Sequence, residues 1–206
     1  MLAKNTFKYG QVQVKPSKFG EWQIIEFEIS DSDASFFNMR NAINGRSHLN
    51  VEAGSYTRLM KANEVVMSNT QMELQSNSVA YENATGNVLI AGLGMGMILD
   101  AILSKPDVKS VLVVEFDQHI VDHIGAYYKD DSRVEIIQGS IFDYQLTDNE
   151  HYDYIWFDIW TFLSQDNCEE FITLYEKFED HCDWMSFWGL EYFYEEYFED
   201  CGKVLI

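Results

Sequence analysis

From residue 87 onward, short apolar runs alternate with segments whose apolar residues follow helical spacing. The runs have the length of buried strands, and we predict strands at 88–91, 111–115, 134–138, 153–158 and 183–188. We predict helices at 96–104, 118–128, 167–180 and 190–200. Strands that alternate with helices in this way indicate an α/β fold built on a parallel sheet.

The first 68 residues follow a different pattern, in which apolar and polar residues alternate. The alternation predicts two hairpins, one from Phe7–Val14 and Glu21–Ile29 around the connection Lys15–Gly20, the other from Tyr56–Ala62 and Glu64–Ser68. A helix is expected between them, from the Asp31 cap to Ile43.

We therefore predict two domains. Residues 1–68 form a small β-rich N-terminal lobe, and residues 69–206 form a Rossmann-like cofactor-binding domain. A helix over Thr70–Ala84 is expected to lead into the first strand of the second domain.

A glycine turn joins the first predicted strand of the parallel sheet to its helix. Gly92, Gly94 and Gly96 allow a sharp turn and a close approach of the backbone to a ligand. A dinucleotide site prefers a third glycine where this chain has Met97, and no Lys or Arg lies between Tyr81 and Ser104 to neutralise a diphosphate. The turn thus favours an adenosine cofactor that has no phosphate.

Acidic residues follow the next three strands. Glu115 ends the second strand, where a carboxylate can accept hydrogen bonds from both ribose hydroxyls. Asp143 follows the third strand and Asp158 ends the fourth. Because ligands of open α/β sheets bind along this edge, the acids predict a ligand with a positive charge, such as a sulfonium.

The overall composition adds expectations about partners and location. The formal net charge is −20, which led us to expect no nucleic-acid partner. The sequence contains no long apolar run and does not start with a signal-peptide pattern, so we expect no membrane association and a cytoplasmic location. His119 and His123 share a helix face without a third ligand, so no metal site is predicted.

These patterns resemble the class I S-adenosylmethionine-dependent methyltransferase fold, and within it the spermidine synthase-like branch. The resemblance rests on Val88–Gly96, Val113–Asp117, Val134–Asp143 and Tyr152–Asp158, together with the run Met67–Glu73 that leads into the glycine strand. It implies an α/β fold with a Rossmann-like parallel sheet of class I methyltransferase type, shortened at the C-terminus, behind a small β-rich N-terminal lobe.

The resemblance also implies roles for individual residues. Gly92, Gly94 and Gly96 would line the methionine and ribose side of the cofactor, Glu115 would bind the ribose hydroxyls, and Phe116 would pack on the adenine. The family has an acid directly after the glycine that follows the third strand, whereas Gly139 is followed here by Ser140. The contact with the adenine amine would then come from Asp143 or from the backbone around Ile141 and Phe142.

Three functions are compatible with this pattern. The first is a methyltransferase that uses S-adenosylmethionine on a small neutral or cationic acceptor, such as an amine. The second is an aminopropyltransferase that uses decarboxylated S-adenosylmethionine, and the third is a catalytically silent cofactor-binding or assembly protein. The aromatic stripe of the last predicted helix is typical of a core or of a homodimer contact.

Asp158 is the predicted catalytic residue. In the resembling family, an acid at this position helps to deprotonate an attacking amine, and here Asp158 would orient the acceptor or remove its proton. Trp156 and Trp160 flank it and could pack on the sulfonium or on a cationic acceptor.

Overall fold

The structure is a computed structural model that describes residues 14–45, 50–165, 167–192, 194–198 and 203–205. The predicted strand from Phe7, except for its last residue, lies outside these ranges, as do Phe193, Cys201 and Gly202 of the predicted C-terminal segment. Within the described residues, no helix has both the length and the apolar character that a membrane crossing requires.

The N-terminal part forms a four-stranded antiparallel sheet whose strands follow one another in chain order. The strands are β1 (Ser17–Phe19), β2 (Trp22–Ile29), β3 (Gly54–Lys61) and β4 (Glu64–Ser68). The second predicted hairpin is confirmed, with Ala62 and Asn63 both at positive φ in its turn. The first is corrected: the predicted connection itself contains β1, and the chain reverses between Phe19 and Trp22.

The helix between the hairpins, α1 (Asp31–Ile43), has the predicted bounds. Its cap, however, is the preceding residue, because the Ser30 hydroxyl accepts a hydrogen bond from the Asp33 N–H at 3.1 Å.

The predicted helix Thr70–Ala84 is divided into two short helices, α2 (Gln71–Ser76) and α3 (Ser78–Asn83). The break is at Asn77, whose side-chain amide donates to the Glu73 carbonyl at 2.8 Å. Asparagine side chains compete with the backbone for such carbonyls. A helix that is predicted from its sequence pattern is therefore readily interrupted at an asparagine.

The C-terminal part contains a five-stranded parallel sheet in the order β7-β6-β5-β8-β9, which confirms the predicted Rossmann-like α/β fold. Its strands are β5 (Gly86–Ala91), β6 (Val108–Glu115), β7 (Val134–Gln138), β8 (Tyr152–Phe157) and β9 (Cys182–Phe187). The strand order reverses between β5 and β8. Crevices that bind ligands form at such switch points, outside the carboxyl ends of the strands.

Three further helices connect these strands: α4 (Met97–Leu103), α5 (Gln118–Ile124) and α6 (Asn167–Phe178). The continuous helix predicted at 190–200 is not observed in the described residues, which instead form a 3-10 turn at Leu190–Tyr192 and a π-helical turn at Tyr194–Phe198. Beyond them, Val204 forms a parallel bridge with Met185 of β9.

The two sheets share one hydrophobic cluster. Trp22, Ile24 and Leu59 of the antiparallel sheet belong to the same cluster of buried residues as Val88 and Ile90 of β5. Burial of this apolar surface fixes the antiparallel sheet against one face of the parallel sheet. The predicted domain boundary after residue 68 falls at the end of β4 and stays a prediction.

We predict that Gly96→Ala strongly destabilises the protein. Gly96 has a φ of +80°, and an added Cβ would lie 2.1 Å from the Tyr128 hydroxyl oxygen. The left-handed backbone costs an alanine ~1–2 kcal/mol, and the overlap with a buried side chain adds roughly 1–3 kcal/mol. Urea unfolding measures the sum.

Gly45→Ala is the matched control for this substitution. Gly45 also has a positive φ, +69°, but a Cβ there meets no described atom within 4 Å. Equal losses of stability in the two variants would show that the packing of Tyr128 against Gly96 contributes nothing.

Candidate functional site

The carboxyl edge of the parallel sheet is ordered by a hydrogen-bond ladder that continues one residue past the strands. Gly92 N–H donates to the Val114 carbonyl, Gly139 N–H to the Glu115 carbonyl and Asp158 N–H to the Ala91 carbonyl, each at 2.9 Å. The ladder therefore holds the residues that follow β5, β7 and β8 in fixed register beside Glu115, the last residue of β6.

Two of the three predicted glycines line the space beyond this edge, and both lie where a side chain could not fit. An added Cβ at Gly92 would lie 2.1 Å from the Asp158 carbonyl oxygen, and one at Gly94 would lie 2.4 Å from the Met67 sulfur. Met67 also accepts the Met95 N–H at 3.3 Å. The glycine turn is thus enclosed between β8 and the antiparallel sheet.

Glu115 holds the glycine turn in place. One carboxylate oxygen accepts the Leu93 N–H and the other accepts the Asp117 N–H, both at 2.8 Å. Burial raises the pKa of the Glu115 carboxyl, although the hydrogen bonds from these two N–H groups lower it. A carboxylate oxygen accepts more than one hydrogen bond, so both oxygens can still accept from ribose hydroxyls.

These elements enclose a cavity of about 430 Å³, within the size range of small-molecule sites. Its polar wall includes three carboxyl groups, from Glu73, Glu115 and Asp158. None of the described residues that line it is Lys, Arg or His. This lining would favour a cationic ligand over a phosphate.

The carboxyl groups affect one another's ionisation. Burial, and then the charge of Glu115, raise the pKa of Asp158 to about 7. The pKa of Glu73 is also raised to about 7, mainly by burial. The hydrogen bond from the Ser68 N–H opposes this rise, and the charge of Asp158 adds to it. A bound cation would reduce the repulsion, and its attraction would offset the cost of desolvating the carboxylates.

Most of the residues predicted for cofactor binding line this cavity. Besides Gly92, Gly94 and Glu115, they are Phe116, Ser140 and Ile141. Phe116 is 74% exposed at the mouth, so one ring face is available for packing on a planar ligand.

Two of the predicted residues are placed elsewhere. Gly96 is buried and accepts a hydrogen bond through its carbonyl from the Tyr128 hydroxyl at 3.1 Å, so its requirement is one of packing. Asp143 is exposed and is not among the lining residues. Burial lowers the pKa of Lys177 below its ordinary value, and the charge of Asp143 opposes this shift.

The two tryptophans beside Asp158 also differ in position. Trp160 lines the cavity, and its indole N–H donates to the Glu170 carboxylate at 2.6 Å. Trp156 is 1% exposed and packs in the core from within β8, whereas Trp160 follows the end of that strand.

Several lining residues were not predicted from the sequence. They come from the antiparallel sheet, from α2 and its end, and from the residue after β9: Trp22, Met67, Glu73, Asn77 and Trp188. The spacing of Glu73 and Asn77, four residues apart on a predicted helix, was the available signal, since such residues share one face.

The histidine pair of α5 does not line this cavity; His123 contacts β1 of the antiparallel sheet. His123 lies within hydrogen-bond distance of the Ser17 hydroxyl, 2.8 Å, and stacks on Phe19 with ring centroids 3.9 Å apart.

Comparison with known proteins gives similarities of structure only. No protein-family model matches the sequence, and no curated protein matches it. The chain is similar to a dimethyladenosine transferase from Plasmodium falciparum, with 16% identity over 54% of this chain and 37% of that one and a TM-score of 0.39.

Two further solved structures with the same coverage of this chain are methyltransferases. A S-adenosylmethionine-dependent methyltransferase from Clostridium acetobutylicum has 12% identity over 54% of this chain and 44% of its own, with a TM-score of 0.39. The 23S rRNA methyltransferase ErmE has 10% identity over 54% of this chain and 43% of its own, with a TM-score of 0.43. The chain thus matches less than half the length of these three proteins.

The expectation that nucleic acid is excluded as a partner is wrong. The similar structures include an rRNA methyltransferase and a dimethyladenosine transferase, which overturns an exclusion based on net charge. The physical reason is that a net charge of −20 is a sum over the whole chain and does not describe the surface around one cavity mouth.

The half-buried carboxyl groups of Glu73 and Asp158 predict an unusual dependence of stability on pH. Because the pKa values of Glu73 and Asp158 are raised in the folded protein, that state holds more protons than the unfolded chain between about pH 4 and pH 7. The free energy of unfolding should therefore fall as the pH rises through this window, by roughly 1–3 kcal/mol per group.

Asp158→Asn should remove part of this slope and stabilise the ligand-free protein at pH 8 more than at pH 5. Urea unfolding at both pH values measures the effect, with Glu82→Gln on the exposed surface of α3 as the control. A wild-type slope retained in Asp158→Asn would contradict the burial of an ionisable carboxyl at this position.

Proposed function

We propose that this protein is a transferase that uses S-adenosylmethionine, and specifically a methyltransferase. The observation that carries the proposal is the wall of the cavity at the sheet switch point: three carboxyl groups and, among the described lining residues, no basic side chain. Adenosyl sulfonium compounds combine a nucleoside with a positive charge, which suits this wall better than any diphosphate-containing cofactor.

The lining residues fit the parts of such a cofactor in sequence along the sheet edge. Glu115 would accept the ribose hydroxyls, Phe116 would pack on the adenine, and the backbone at Ser140 and Ile141 would contact its edge. Gly92 and Gly94, whose missing side chains leave room for Asp158 and Met67, would lie beside the methionine portion.

The electrostatics argue against a nicotinamide or flavin dinucleotide. Those cofactors need N–H donors or cations at their diphosphate, and α4, which begins at Met97 after the turn, is a helix of only seven residues. Glu115 accepts the Leu93 N–H and thereby occupies one donor that a diphosphate would require.

The protein's contribution to methyl transfer would be placement and charge. The sulfonium supplies an activated methyl carbon when the cofactor is bound. Asp158, next to the glycine turn, would orient the attacking group and accept its proton, while the cavity walls exclude water. Trp160, which forms part of the wall, would pack against the cationic centre.

A second candidate is aminopropyl transfer from decarboxylated S-adenosylmethionine. The same observation favours it, because a donor without the α-carboxylate needs no basic partner in a cavity whose described lining has none. The two candidates differ in one prediction, namely which donor binds more tightly.

Calorimetry tests both candidates together. We expect S-adenosylmethionine to bind at least about tenfold more tightly than NAD, and also more tightly than S-adenosylhomocysteine, because only the sulfonium is attracted to Asp158. In Asp158→Asn this preference for the sulfonium should shrink to about twofold.

The outcomes separate the alternatives. A stronger binding of decarboxylated S-adenosylmethionine favours aminopropyl transfer, and binding without turnover on any acceptor favours a silent cofactor-binding protein. Preferential binding of NAD would contradict the whole assignment.

A further inference from the structure

A lysine on α6 holds the loop that follows β7, and this loop forms one wall of the cavity. The Lys177 ammonium donates to two consecutive backbone carbonyls of the loop, that of Ile141 at 3.0 Å and that of Phe142 at 2.6 Å. Ile141 and Phe142 line the cavity, whereas Lys177 does not. The ammonium therefore lies outside the cavity, and the two carbonyls are directed away from a bound ligand.

The remaining acceptors of this loop are also engaged outside the cavity. The Asp143 N–H donates to the Ser140 carbonyl at 3.0 Å, so all three carbonyls from Ser140 to Phe142 accept hydrogen bonds within the protein. The Asp143 carboxylate does not line the cavity, and its charge acts on Lys177. The acceptors that the sequence offered for an adenine amine are thus not presented to the cavity.

The polar groups that the loop leaves to a ligand are donors. The Ile141 N–H has no hydrogen-bond partner among the described residues. The Ser140 hydroxyl accepts the Phe142 N–H at 3.2 Å, so its hydrogen is available to donate. An adenine amine would find only the Ser140 oxygen as an acceptor in this segment, and that oxygen is already in use.

The opposite side of the nucleobase end makes no distinction between bases. Phe116 is 74% exposed at the mouth of the cavity, and its carbonyl accepts the side-chain amide of Gln138 at 2.9 Å. Stacking on an aromatic ring tolerates any base, because every base has a π-face. Selectivity at this end therefore depends on the loop that Lys177 holds.

We propose that Lys177 is a positioning residue that determines how the cavity recognises the nucleobase. It holds the loop by its carbonyls, so that the Ile141 N–H and the Ser140 hydroxyl donate to ring nitrogen atoms of a purine while the 6-amino group has no selective partner. The proposal rests on the proposed function and specifies how its cofactor is bound. A purine without the amino group should therefore bind almost as well as adenine.

A second lysine supplies a matched control. Lys203 likewise donates to two backbone carbonyls, that of Glu179 and, at 2.9 Å, that of Cys182. None of these three residues lines the cavity. A purely structural role predicts the same consequences for the loss of Lys177 and of Lys203, whereas the proposal predicts weaker ligand binding for Lys177 alone.

The first test is calorimetry of the full wild-type chain with two nucleosides. One is 5′-methylthioadenosine, and the other is the same nucleoside without its 6-amino group. We expect dissociation constants within about threefold of each other, whereas a carbonyl or carboxylate directed at the amine would give a preference of about tenfold.

The second test uses three variants under the same conditions. Lys177→Met should weaken the binding of both nucleosides by about tenfold, because the ligand must then order the loop. Lys177→Arg should restore affinity to within about threefold, since a guanidinium can also donate to two acceptors. Lys203→Met should leave both affinities unchanged, and urea unfolding checks that each variant is folded.

A wild-type preference above about threefold for 5′-methylthioadenosine would overturn the proposed recognition of the base. Unchanged affinity in Lys177→Met, or equal losses in Lys177→Met and Lys203→Met, would overturn the positioning role. If Lys177→Met does not fold, the wild-type comparison and Lys177→Arg still decide. In each case S-adenosylmethionine still binds, whereas a wild type that binds neither the nucleosides nor S-adenosylmethionine would overturn the proposed function itself.

Discussion

The concentration of buried negative charge at the sheet switch point is the constraint on which the rest of the site depends. Glu115 is stabilised by backbone N–H donors, whereas Asp158 has no hydrogen-bond donor to its carboxyl group among the described residues. Carboxylates buried without a cation reduce stability, so their presence calls for a ligand that compensates them. A nucleoside with a positive centre meets that requirement, whereas a diphosphate would increase the repulsion.

The antiparallel sheet is part of this site. Met67 lies against the glycine turn, and Trp22 donates its indole N–H at 3.0 Å to Asp117, two residues after Glu115. Partial burial raises the pKa of Asp117, but hydrogen bonds from Trp22, the His119 N–H and Lys61 together lower it. The antiparallel sheet therefore closes the cavity with apolar side chains and keeps the Asp117 charge paired outside it.

The sequence allowed the parallel sheet to be predicted because its strands are continuous apolar runs and its glycine turn is local. Glu115 and Asp158, which both line the cavity, could be singled out for the same reason, since each ends such a run. Of the residues that the prediction missed, Glu73 and Asn77 are close in sequence, but tertiary packing alone places them beside Trp188 and the sheet edge. Gly96 was assigned to the cofactor, yet its conformation serves Tyr128, a contact across 32 residues that no local pattern shows. The net charge led to a wrong expectation about nucleic-acid partners, because a sum over the chain carries no information about where the charges lie on the surface.

A crystal structure of the complex with S-adenosylmethionine tests the central claim most directly. We expect the ribose hydroxyls within hydrogen-bond distance of Glu115 and the sulfonium next to Asp158. A cofactor bound with its sulfonium outside the carboxyl-lined cavity, or a diphosphate ligand bound in its place, would contradict it.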